Sequence, residues 1–175
     1  MKKVFLLCLC FAVSLLMAGQ GNDVVVTKET VSTFYRDFKR LTQHPHRVAP
    51  LTAILCRSPT PELRDREQKA TGLHYHTSVH IYANALADAA IAAKANVFPP
   101  GAIIVKEKLD EKGSAVGVGG MIKRAAGFDA ANADWEYFYS DAETGFSMGR
   151  LKNCAECHAG ADRTDYVFSV WKPYY

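Results

Sequence analysis

Leu73-His74-Tyr75-His76-Thr77-Ser78-Val79-His80-Ile81-Tyr82 alternates its side chains without a break. Leu73, Tyr75, Thr77, Val79 and Ile81 fall on one side, and His74, His76, Ser78, His80 and Tyr82 on the other. Successive side chains of an extended chain point to opposite faces, so this period of two predicts a strand with one apolar and one polar face. Three further strand candidates follow at 102–109, 115–124 and 135–140, separated by glycine-containing turns at Gly113 and around 127–132. Between the first strand and the second, residues 85–95 are alanine-rich and helical by propensity, and Phe98-Pro99-Pro100-Gly101 stops that helix and turns the chain. A last short helix is expected from Gly149 to about Gly160. Strands in a meander with helices set apart from them predict an α+β domain.

Upstream the reading is less regular. Val31, Phe34, Tyr35, Phe38 and Leu41 recur at spacings of three and four, which predicts a helix over 27–41. Pro45, Pro50, Pro59 and Pro61 make 43–61 an irregular crossing, and a short polar helix is expected at 62–69. The N-terminus begins Met1-Lys2-Lys3 and continues as an unbroken apolar run from Val4 to Ala18. That run is shorter than the roughly 20 residues a membrane-spanning helix needs and matches a signal-peptide core. We therefore expect 1–20 to be a signal peptide cleaved at about 18–21, 21–72 to be a helical and irregular segment packed on the domain, and 73–175 to be the domain itself. Export to the periplasm follows as an expectation.

The chain has 175 residues, 49% hydrophobic and 22% charged, enough for one domain with a core and unlike a disordered sequence. Its net charge of +3 includes Lys2 and Lys3; without the leader, 19 basic residues face 18 acidic ones. No clustered basic face remains for nucleic acid. Cys8 and Cys10 leave with the leader, so Cys56, Cys154 and Cys157 are the mature thiols. An odd count in an oxidising compartment argues against a simple disulfide framework.

Cys154-Ala155-Glu156-Cys157-His158 has the C-x-x-C-H spacing of covalent haem attachment. On one helical turn two thiols can reach both vinyl groups of one porphyrin, and the next residue offers an imidazole to the iron as proximal ligand. A redox dithiol would want a βαβ context and a zinc site a second ligand pair; neither is evident. Only 17 residues follow His158 and none is Met, so a five-coordinate iron with an open distal face is expected. An open site favours an enzyme or a gas binder over an electron carrier.

Around that motif the chain resembles the cytochrome P-460 family, related to cytochrome c′-beta. The resemblance runs over about 73–174, through Phe98-Pro-Pro-Gly-Ala-Ile-Ile-Val-Lys-Glu-Lys108, Met121-Ile-Lys-Arg-Ala-Ala-Gly-Phe-Asp129, Asp134-Trp-Glu-Tyr137, the haem motif and Thr164-Asp-Tyr-Val-Phe168. It implies a predominantly antiparallel sheet with flanking helices, a haem-attachment helix near the C-terminus, one covalent haem c and a homodimer. It also implies that Lys106 matches the lysine that bonds to the porphyrin edge in crosslinked members, which oxidise hydroxylamine with an external electron acceptor such as a small cytochrome. Read from its strand alone, Lys106 alternates with Lys108 and Asp110 and is equally one charge on a solvated face. Where hydroxylamine oxidisers carry a distal carboxylate, Gly119 stands here; Glu107, Asp134, Glu136 and Asp141 are the candidates to replace it. The alternatives are an NO-binding protein without turnover, whose distal face Phe98 and Phe128 could crowd, and an electron-transfer cytochrome.

The remaining features carry less. His74, His76 and His80 share a strand face and could bind a metal, but a solvated or dimer-facing surface is the simpler reading. His44 and His46 flank a proline without specific signal. Cys56 reads as a buried thiol or an intersubunit link. Arg124, Arg150 and Lys152 are candidates to hold haem propionates, and Trp135, Tyr137 and Tyr139 to pack the core or the subunit interface.

Overall fold

The computed structural model describes residues 24–46, 78–110, 112–142 and 144–168. The expected signal peptide, Cys56, His74, His76, the helix at 62–69 and most of the proline-rich crossing lie outside these residues. No helix among the described residues is long and apolar enough to cross a membrane.

Among the described residues six strands form one antiparallel meander in the order of the chain: β1 (Lys39–Arg40), β2 (Ser78–Ala83), β3 (Ile103–Leu109), β4 (Ala115–Lys123), β5 (Trp135–Asp141) and β6 (Gly145–Gly149). Two short helices accompany them, α1 (Ala85–Ala92) and α2 (Lys152–His158), and a 3-10 segment Ala159–Thr164 continues α2. The α+β architecture with its helix near the C-terminus is the expected one.

The turns explain why the strands pair in register. Asp110 accepts backbone hydrogen bonds from Lys112 N (2.9 Å) and Ser114 N (2.8 Å), closing the β3–β4 hairpin over Gly113. Gly113 sits at φ 81°, a conformation cheap only for glycine. Asn84 caps α1, accepting from Ala87 N, and the same oxygen accepts from Ile103 N, so one side chain starts the helix and fastens it to β3.

Residues 27–41 do not form the expected α-helix. They make successive turns with mixed spacing, Val31 N to Thr27 O and Phe34 N to Thr30 O beside Thr33 N to Thr30 O and Phe38 N to Tyr35 O, and end in β1. Thr27, Thr30, Val31, Ser32 and Thr33 are poor helix formers, and the side chains of Thr27 and Thr30 bond each other's backbone N–H instead. The apolar spacing still does its work, because Val31, Tyr35 and Leu41 are buried. β6 was not apparent in the sequence.

The sheet separates two hydrophobic clusters. Ile103, Val105, Val118, Ile122 and Phe138 pack on the back face under Val31 and Tyr35. Val79, Ile81, Ala83, Ile104, Met121, Trp135 and Tyr137 pack on the front face with Cys154 and Ala155 of α2. Register fixes the front row through the middle of the sheet as Ile81, Lys106, Gly119, Tyr139 and Ser147. β3 is central and largely buried on both faces.

Candidate haem site

α2 lays the motif against the front face of β5. Cys154 is buried, Cys157 is exposed, and both are free thiols. His158 ends the helix with its ring between Tyr137 (centroids 5.1 Å apart) and Phe168 (5.3 Å). Its Nδ1 lies 2.6 Å from the carbonyl oxygen of Tyr166. A carbonyl only accepts, so Nδ1 carries the proton and the lone pair is on Nε2. Burial holds the imidazole pKa down to about 4, with Lys106 pushing the same way and the Tyr166 bond opposing. The ring is neutral near pH 7, the form that ligates a metal.

Lys106 and Lys108 share the front face of the sheet, the face on which α2 packs against β5. Lys106 is only partly exposed. Its pKa is lowered, first by burial and then by the charge of Lys108, while Cys157 and Cys154 oppose that shift. Lys106 and the motif therefore lie within one electrostatic neighbourhood, 48 or more residues apart in sequence. Lys108 is 1% exposed, with Asp141 at 3.5 Å and the Tyr139 ring 5.9 Å away. The alternative reading of Lys106 as one charge on a solvated strand face is not what the structure shows: Lys106 is partly buried, and Lys108 on the same face is buried beside Asp141.

Two buried side-chain atoms among the described residues have no hydrogen-bond partner, Lys108 Nζ and Tyr137 Oη, and both are on the front face. Buried polar groups are normally satisfied, so a long Lys108–Asp141 pair and an unbonded Tyr137 hydroxyl are compatible with a further group at this face. Gly119, opposite Lys106, leaves room there: a Cβ would meet nothing closer than 3.6 Å. Two thiols able to form thioether bonds, a neutral imidazole with a fixed tautomer and an uncrowded strip of sheet together suit a haem.

The four candidate carboxylates separate sharply. Glu107 is on the back face, where it accepts from Tyr35 Oη (2.8 Å) and Tyr82 Oη (3.2 Å) and pairs with Arg36 (3.4 Å). Glu136 is also directed to that face and pairs with Arg124 at 2.6 Å. Asp134 accepts from Gly127 N and Asp129 N and closes a loop. Only Asp141 of the four is on the front face. Sequence alternation alone would have excluded Glu107 and Glu136, since each is an odd number of residues from a front-face neighbour.

Other candidates find ordinary partners. Arg124 is engaged by Glu136, Arg150 stacks 5.0 Å over Phe128, and Lys152 stands exposed beside Glu156. Phe98 packs edge-on against Trp135 in the core and Phe128 lies in a loop. His80 bonds Thr42 Oγ1 at 3.0 Å, and no metal-binding group of His, Cys, Asp or Glu occurs among the described residues.

No curated protein matches the chain closely enough to count as a relative. Residues 60–169, which contain β2 to β6 and the whole haem-type motif, match the family described as Cytochrome P460. With that match over more than half of its length, the chain belongs to the Cytochrome P460 family and is a haem-binding cytochrome.

Proposed function

We propose that the protein is an exported monohaem c-type cytochrome that oxidises hydroxylamine or a related small nitrogen compound, as a homodimer working with an external electron acceptor. The observation that carries this reading is the electrostatic neighbourhood shared by Lys106, Cys154, Cys157 and His158. Cys154 and Cys157 would hold the group through thioether bonds, and His158 Nε2 would be its proximal ligand. A haem so held supplies a redox-active iron with an exchangeable coordination position.

The chain's own residues account for the rest. Tyr166 O fixes the imidazole tautomer, and Tyr137 and Phe168 fix the ring plane. Lys106, where it bonds to the porphyrin edge, tunes the group electronically. Hydroxylamine oxidation releases protons with its electrons, and Asp141 is the front-face carboxylate able to receive them. The apolar start of the chain supports export to the periplasm, where covalent haem attachment takes place.

Ferric and dithionite-reduced absorption spectra of the purified mature protein test the reading, followed by steady turnover with hydroxylamine and an oxidised small cytochrome. A reduced Soret band far to the red that Lys106→Met returns to an ordinary haem c position, together with turnover, is the expected result. An ordinary high-spin spectrum without turnover would transfer the assignment to NO capture. That second reading draws on Gly119, which presents no carboxylate opposite Lys106.

A further inference from the structure

The four stretches that carry the family resemblance outside the haem motif meet at one buried carboxylate, Asp165. Lys123 Nζ donates to both of its oxygens at 2.8 and 2.7 Å, and Phe98 N donates to Oδ2 at 2.8 Å. Trp135 Nε1 donates to the Asp165 backbone carbonyl at 2.7 Å. The side chains of Lys123 and Asp165 are 7% and 5% exposed, and Lys123 Nζ also lies 5.1 Å over the Trp135 ring.

This cluster is joined through the chain to the imidazole, since Asp165 precedes the residue whose carbonyl meets His158. Asp165 and the next residue, Tyr166, are both left-handed, at φ 53° and 65°. Side-chain-bearing residues keep such a conformation only where their surroundings enforce it. It is this bend that turns the Tyr166 carbonyl onto His158 Nδ1 at 2.6 Å, while Tyr166 Oη donates to Ala131 O at 3.1 Å. Two charges have been taken out of water to hold a bend whose free carbonyl serves the imidazole.

We propose that Lys123, Asp165 and Trp135 are positioning residues for His158: by pinning the Asp165–Tyr166 bend they set the strength of the Nδ1–H hydrogen bond, and through it the donor strength of the axial ligand. This rests on the reading of His158 as the iron ligand. A firm bond from Nδ1 makes the imidazole a stronger donor and favours the ferric state; loosening the bend weakens it and favours the ferrous state.

The test is an equilibrium redox titration of the haem-loaded mature protein, read as the ratio of reduced to oxidised haem at a fixed ambient potential. Asp165→Asn is expected to raise that ratio about tenfold, the lower end of the scale on which partners of metal ligands act. Trp135→Phe should raise it less, and Lys123→Arg, which keeps the charge, should leave it within about twofold. Should Asp165→Asn fail to fold with Lys123 left unpaired, the paired variant Lys123→Met with Asp165→Asn removes both charges and should show the same rise. Val118→Ala, on the back face, provides a comparable loss of thermal stability without touching the bend. An unchanged ratio in folded Asp165→Asn or in the paired variant overturns the proposal, as does an equal change in Val118→Ala. Replacing His158 with Gln distinguishes the two levels: a haem spectrum indifferent to that change sinks the ligand assignment itself, whereas loss of axial imidazole with no effect of Asp165 sinks only the positioning role.

Discussion

The two faces of the sheet use the same strands to opposite ends. Lys106 and Glu107 are neighbours in sequence, yet one faces the side of the sheet that carries the haem motif and the other is sealed behind the sheet. On the back face Glu107 has two tyrosine hydroxyls and an arginine, and Phe34 meets Tyr35, Phe38 and Phe138 edge-on. On the front face the buried phenol of Tyr137 has no hydrogen bond among the described residues, and the buried Lys108 ammonium has only a long ion pair with Asp141. Incomplete satisfaction costs stability, so it is tolerated where something else completes it. The back face holds the fold; the front face receives the cofactor.

The largest effect that separates the faces is all-or-none. Replacing Cys154 and Cys157 together with Ser should abolish haem retention on a denaturing gel, whereas Glu107→Gln, on the other side of the sheet, should retain it. Retention by the double serine variant would detach the motif from covalent attachment.

The next effect is in pH. Before haem attachment, His158 has its pKa lowered to about 4 from an unfolded value near 6.5. The unfolded chain therefore binds the proton first, and the folded state loses stability as pH falls through 6.5 towards 4. The stabilisation is fully present above pH 6.5 and amounts to about 3 kcal/mol relative to acid. Urea unfolding of the apoprotein at pH 7 and pH 4.5 measures it, and His158→Gln should flatten that part of the profile. An unchanged slope would mean that the ring is not held neutral by burial.

Much of this arrangement is legible in the sequence, and the failures have definite causes. The strands at 102–109, 115–124 and 135–140 appear within a residue or two because their side chains alternate and glycine turns bound them. β6, Gly-Phe-Ser-Met-Gly, is too short and glycine-rich to alternate visibly, and β1 is only two residues long. The helix expected over 27–41 failed because spacing reports which residues face the core, not whether threonines will divert the backbone. Lys106 and Lys108 were legible as sharing a face, but their burial comes from long-range packing, such as Asp141 of β5 beside Lys108, that no local pattern encodes. The Asp165 cluster was legible only as scattered similarity, since its members come together solely in the fold.

Adjacent glycines sharpen the contrast. Gly120 points to the back face, where a Cβ would collide with the Phe138 ring and come within 2.6 Å of the Ile104 carbonyl oxygen. Gly119 points forward with 3.6 Å clear. Gly120→Ala should cost about 1–3 kcal/mol in urea unfolding, towards the upper end because one neighbour is backbone. Gly119→Ala should change stability by less than about 0.5 kcal/mol. Equal costs would remove the idea that only the back of β4 is closely packed.

Two tyrosines bring the comparison down to single hydroxyl groups. Tyr35 Oη donates to a buried carboxylate at 2.8 Å, and Tyr35→Phe leaves Glu107 with one fewer donor. The loss should be about 1–2 kcal/mol, since hydrogen bonds to charged groups contribute more than neutral ones and Tyr82 and Arg36 remain in place. Tyr137 Oη donates to nothing among the described residues, although its ring packs on His158. Removing a hydroxyl that is already desolvated and unbonded takes away a penalty instead of a bond, so Tyr137→Phe should be neutral or slightly stabilising in the apoprotein, within about 0.5 kcal/mol. With haem bound the sign should change if that hydroxyl is completed by the cofactor or its ligand. A loss confined to the holoprotein places the phenol in the site, whereas the same loss in both forms would mean that Tyr137 belongs, like Tyr35, to the framework.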